Sequence, residues 1–139
     1  MLGDIIYETK VGKLIGTRLI SVEEGIPKIE VTISQEGTLS TGKDASSLVT
    51  FWSEPQKDGS IYAQGQGVLM LKDDRAATAT WIGKGIAHHH DQVRRDVGSV
   101  FFRSSNNNDK LAFLNNMVGV FEYEILEEGT SNGKIWEWK

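Results

Sequence analysis

Three histidines and an aspartate stand in a row at His88-His89-His90-Asp91. In an extended segment side chains alternate, so His88 and His90 point the same way, and with Asp91 they could give zinc or a similar ion three ligands and one open position. The spacing matches no standard metal signature, and the plainer reading is a solvated loop that holds no metal. Glu122 and Glu124 lie two apart, and paired carboxylates divide acid and base roles when their environments differ. Their neighbours Phe121, Tyr123 and Ile125 form the apolar face, so alternation turns both glutamates outward. Pointing inward instead, Glu122 would have a raised pKa, and either it or a His88 or His90 group would be the one to move a proton. A third set, Tyr62, Gln64, Gln66 and Trp81, offers amide and hydroxyl handles beside the small residues Ala77, Ala79, Gly83 and Gly85, which is what a small-molecule pocket needs. Arg94-Arg95, next to Asp96, reads as a loop edge, although either arginine could meet a carboxylate at the mouth of a cavity.

These residues depend on the stretch Ser60 to Ile86, where two long extended runs flank Lys72-Asp73-Asp74-Arg75. With Asp73 and Asp74 as a two-residue hairpin turn, Met70 faces Ala77, Val68 faces Ala79, Gln66 faces Trp81, Gln64 faces Gly83 and Tyr62 faces Gly85. That register puts Tyr62, Gln64, Gln66 and Trp81 on one face and the leucines and isoleucines on the other. Either face can be the inner one. Glycines fall on both, and isolated glycines inside strands mark bends, bulges or close backbone approach, so the hairpin should coil strongly.

The rest of the chain also has a period of two. Asp4 to Ser21 reads as one long strand kinked at Gly12 and Gly16, and Lys28 to Glu36 as a half-buried strand with Ile29, Val31 and Ile33 on one face. Gly37 to Ser46 reads as a loop, Leu48 to Glu54 as an aromatic-rich strand, and Ala87 to Asp96 as a long polar loop. Val97 to Ser104 is extended, Ser105 to Asp109 is an Asn-rich turn, and Lys110 to Asn116 is either a helical turn or a bent strand. Met117 to Leu126 and Lys134 to Trp138 complete the set. No segment carries a helical stripe over three turns.

Composition narrows the function classes. The chain has 139 residues, 39% of them hydrophobic and 24% charged, with a net charge of −4. That length suits one domain, residues 1–139, able to bury a core, and the acidic balance argues against a nucleic-acid surface. There is no cysteine, so thiolate chemistry and disulfides are excluded. No leader pattern and no run of ~18 apolar residues is present, so a cytoplasmic location with no membrane partner is expected. Nucleophile elbows, phosphate loops and zincin helices are missing, and no cofactor is expected.

About eight strands at short spacing, rich in glycine, predict an all-β fold, a single antiparallel eight-stranded β-barrel that hides its edges by closure. Gly65-Gln66-Gly67-Val68, Gly83-Lys84-Gly85, the run Lys110-Leu111-Ala112-Phe113-Leu114-Asn115-Asn116 leading into Val118-Gly119-Val120-Phe121-Glu122-Tyr123-Glu124, and the terminal Trp136-Glu137-Trp138-Lys139 carry a likeness. Over about residues 47 to 139 the chain resembles a family of uncharacterised prokaryotic proteins of the allene oxide cyclase-like, calycin-like barrel type. The resemblance implies a barrel with a lumen. It supplies no activity, and no functional residue of allene oxide cyclases proper maps onto this sequence.

The leading expectation is therefore a protein that binds a small apolar or amphipathic molecule inside the barrel, with Tyr62, Gln64, Gln66, Trp81, Phe121 and Tyr123 as ligand contacts. The alternatives are an isomerase or cyclase acting on a lipid-like or polyketide-like substrate, and a structural protein whose exposed aromatics build a homo-oligomer, a dimer or a trimer.

Overall fold

In a computed structural model, which describes residues 1–104 and 110–139, the chain forms one closed antiparallel sheet of eight strands in sequence order. The strands are β1 (Leu2–Ser21), β2 (Lys28–Leu39), β3 (Asp44–Pro55), β4 (Ile61–Leu71), β5 (Thr78–His90), β6 (Val93–Ser104), β7 (Val118–Ile125) and β8 (Thr130–Trp138). β8 pairs back onto β1 and seals the ring. Residues 105–109, the expected Asn-rich turn, lie outside the described residues. Among the described residues no helix is long and apolar enough to cross a membrane.

Alternation sets the inner face. On β4 the buried residues are Ala63, Leu69 and Leu71, which places Gly65 and Gly67 on the same inner side. Opposite them stand Gly85, Gly83, Trp81 and Ala79 of β5. The expected two-residue turn is corrected here: Met70 pairs with Thr78, and Leu71 N–H donates to the Ala77 carbonyl at 3.1 Å. The connection is longer because Asp74 organises it, its side chain accepting from Ala76 N–H and its carbonyl from Ala77 N–H. A one-residue slip turns a strand over. Trp81 therefore faces inward opposite Gly67, and Tyr62, Gln64 and Gln66 alternate outward.

Two expected loops are strands. β2 runs on to Leu39 and β3 begins at Asp44, while β5 and β6 carry the Ala87–Asp96 segment as a hairpin whose turn residues Asp91 and Gln92 have φ of 57° and 127°. Primed hairpin turns need such positive angles, which match the twist of the flanking strands. The ambiguous segment before β7 is a short 3₁₀ turn, Ala112–Asn116, tied to β6 where Asn115 Oδ1 accepts from Ser104 N–H at 2.7 Å. β1 is irregular against β2 at Thr9/Val11, Leu14/Gly16 and Leu19/Ser21, so Gly12 and Gly16 lie close to two of these breaks.

One end of the barrel is packed solid. Leu111 and Leu114, both fully buried, join Ile6, Leu39, Leu69, Leu71 and Phe102 in a continuous apolar cluster. Strand contact is closest at Gly98, where an added methyl would strike the Lys84 carbonyl and lie 2.6 Å from the Gly85 Cα. Backbone cannot yield as a flexible side chain does, so Gly98→Ala should cost about 1–3 kcal/mol in urea unfolding. Ser99→Ala, one residue along and partly exposed, serves as the control and should leave the midpoint close to wild type.

Candidate functional site

Between that plug and the opposite end lies a cavity of about 90 Å³. Its walls include Trp81, Val100 and Phe121, the polar side chains of Gln35, Tyr7 and Tyr123, and the bare backbone of Gly65, Gly83 and Gly85. Four of the cavity's aromatics are seated on glycine. A methyl on Gly67 would lie 2.5 Å from the Trp81 indole nitrogen, one on Gly133 2.5 Å from the Tyr123 ring, and one on Gly37 2.5 Å from the Tyr7 ring. Phe121 lies over Gly85 in the same way and meets Tyr123 edge to face, with ring centres 6.1 Å apart.

Around Tyr123 the polar wall is neutral, while Asp96 and Lys84 border the cavity elsewhere. Thr9 donates to the Tyr123 hydroxyl at 3.3 Å, and that hydroxyl donates to Gln35 Oε1 at 3.3 Å. Burial pushes the Tyr123 phenol up to about 12, an effect its hydrogen bonds to Thr9 and Gln35 partly offset. Tyr7 is also raised, first by burial and then by the neighbouring Tyr123. Both are phenols at neutral pH. The Tyr7 hydroxyl is buried without a hydrogen-bond partner among the described residues, as is the Ser131 hydroxyl. An unmade bond of this kind costs about 1–3 kcal/mol; Thr9 is the polar side chain near enough to lower the Tyr7 pKa against those effects, and the hydroxyl lies against Gly37.

The other end carries a charged brace. Arg94 makes two parallel bonds to Asp96, each 2.9 Å, and donates to the Ser53 hydroxyl at 2.6 Å. Its guanidinium carbon sits 5.0 Å above the Phe51 ring. Ser53 is on β3 and Arg94 on β6, so the brace spans two intervening strands. The pair is largely buried, and a buried charge is tolerated because it is paired and hydrogen-bonded. The expected solvated loop edge is thus a structural element of the barrel end, and Asp96 also borders the cavity.

The residues singled out from sequence fall into two groups. Trp81, Phe121 and Tyr123 line the cavity. Tyr62 and Gln66 lie on the exposed outer face; Gln64 also alternates outward, half-buried, and borders the cavity. Glu122 is outside, 3.2 Å from Arg95. His88 and His90 are exposed on the outer hairpin, with His90 Nε2 3.4 Å from Asp91, and the described residues contain no grouping of three or more metal-ligating side chains. Tyr7 and Gln35 were not among the expected contacts, and Arg94 was expected at a loop edge, able to meet a carboxylate, rather than in a brace with Asp96 and Ser53. Gln35 continues the Ile29, Val31, Ile33 alternation and could have been found by extending it.

No family model and no curated protein matches the chain. Solved structures do. A conserved protein of unknown function from Rhodopseudomonas palustris superposes with a TM-score of 0.77 at 9% identity, over 99% of this chain and 97% of that one. A protein of unknown function from Clostridium acetobutylicum does so with a TM-score of 0.79 at 14% identity, over 99% of both chains. The chain shares their fold.

Tyr123 gives this wall a pH signature. Its folded value, about 12, lies above the ordinary 10.0, so its contribution to stability is complete below 10.0 and is lost as pH rises toward 12. Unfolding free energy should fall across that window because the unfolded chain releases the proton first. Tyr123→Phe should flatten the decline, and an identical slope in the variant would show that Tyr123 is not its source.

Proposed function

We propose that the barrel lumen binds a small apolar or amphipathic molecule carrying one neutral hydrogen-bond acceptor. The observation that carries this reading is the pairing of a largely apolar chamber with an unpartnered Tyr7 hydroxyl in its wall. A neutral phenol offers a proton to a carbonyl, ester or ether oxygen. An anion is disfavoured there, because Glu36 adds to the electrostatic pressure that already raises the Tyr7 pKa.

Volume limits the guest. A cavity of ~150 Å³ holds benzene, so a chamber of about 90 Å³ takes only a few heavy atoms. A long acyl chain would have to leave most of its length outside. The likeness of the glycine-rich motifs to allene oxide cyclase-type barrels belongs to this reading at the level of a ligand held in a lumen. A cyclase or isomerase working through Glu122, His88 or His90 draws no support from this geometry, since all three lie on the exterior.

The test is a titration of short ketones and esters against hydrocarbons of equal size, followed by tryptophan fluorescence and thermal shift. Acceptor-bearing compounds should bind up to ~10-fold more tightly, the worth of one net hydrogen bond. Tyr7→Phe should erase that preference while keeping hydrocarbon affinity, and Ala63→Phe, which fills the chamber, should abolish both. A lumen that holds only water would give no saturable response to any of them.

A further inference from the structure

The outside of the barrel is two-sided, and register makes this visible. Ile82, Phe101, Val118, Trp138 and Leu2 are directly paired, neighbour to neighbour, across β5, β6, β7, β8 and β1. All five point outward, between 40% and 64% exposed. Followed the other way from Ile82, the same ring passes through Gln66, Thr50 and Thr32, which are polar. The next outward row from β5 to β1, Lys84, Ser99, Val120, Trp136 and Ile5, widens the apolar band with three more large side chains. Leu48 and Tyr62 are also exposed on β3 and β4 but stand in separate rows, so the continuous band runs from β5 to β1, a contact surface that the fold itself does not use.

We infer that this band is the self-association face, covered in solution by a second copy of the chain. With Ile5, the exposed fractions of the row amount to about three fully open side chains, or roughly 600 Å² at ~200 Å² each. A stable interface buries ~800 Å² per partner, and Val120, Trp136 and the polar rim supply the difference. The row contains no charge, so two copies stack without burying one. A two-fold axis along β7 sets β5 of one copy over β1 of the other. That sets Lys84 over the Ile5 end of β1, where Asp4 is the adjacent exposed residue, and brings opposite charges near each other twice by symmetry. A bilayer is the poorer occupant, because a chain of net charge −4 has no general attraction to anionic lipid.

Light scattering on the purified chain should give twice the chain mass. Phe101→Glu and Ile82→Lys, both at exposed positions, should each give the single-chain mass with an unchanged circular dichroism spectrum, whereas Tyr62→Glu on the polar side should stay dimeric. Radical footprinting of the wild type supplies a readout free of substitutions: Phe101 and Trp138 should be protected at high concentration and labelled on dilution. A wild-type chain of single mass, a dimer indifferent to both charged variants, or labelling of Phe101 and Trp138 that ignores concentration would overturn the inference.

Discussion

The barrel rests on aromatic rings lying against glycine. An eight-stranded barrel has an interior about as wide as the side chains that fill it, so a ring as large as indole fits only where the facing wall is recessed. Trp81 on Gly67, Tyr123 on Gly133 and Tyr7 on Gly37 are three versions of one solution, each with a contact no Cβ could share. The glycine does two jobs at once: it lets the sheet coil and it makes room for the ring that then covers its backbone. The chamber is what is left over. Where Gly65, Gly83 and Gly85 cluster and Phe121 covers them only in part, the wall stays bare.

Polar groups enter this interior in two ways. Around Tyr123 they are neutral and share a chain of hydrogen bonds, so they lose little by leaving water and add no charge to that part of the lumen. Around Arg94 they are ionic, paired, and placed at the barrel end, where the brace joins strands that are not neighbours in the sheet. The neutral set can discriminate between guests. The ionic set holds the shape that makes discrimination possible, since stripping either partner from a buried pair costs about 3–5 kcal/mol.

Much of the architecture was legible in the chain. Lys28 to Glu36 alternates, and of the face the periodicity names Ile33 is buried and Val31 half-buried, while Ile29 is exposed. Glycine spread through long strands pointed to coiling and closure, and the ring is closed. The site was harder to read for reasons of parity. The hairpin after Leu71 turns through a connection that Asp74 stabilises with its own side chain, and the resulting offset of one residue moved Tyr62, Gln64 and Gln66 to the outside while Trp81 went in. Tyr7 was obscured by the irregularity at Thr9/Val11, across which the inward set passes from Tyr7 and Thr9 to Gly12. Arg94 and Asp96 looked like solvent-exposed residues because composition cannot reveal that two opposite charges two apart neutralise each other at a barrel end.

Every strand here lies beside the one made just before it, with a single exception: β1 must wait for β8. Seven of the eight seams can therefore zip as the polypeptide leaves the ribosome, but the last pairs Leu2 with Trp138 across all the other strands, and the entropy of that closure is recovered only once β8 has been made. Until then the nascent sheet has a raw margin on each side and its lumen is open to water. The hollow on which any guest depends comes into existence in one late step.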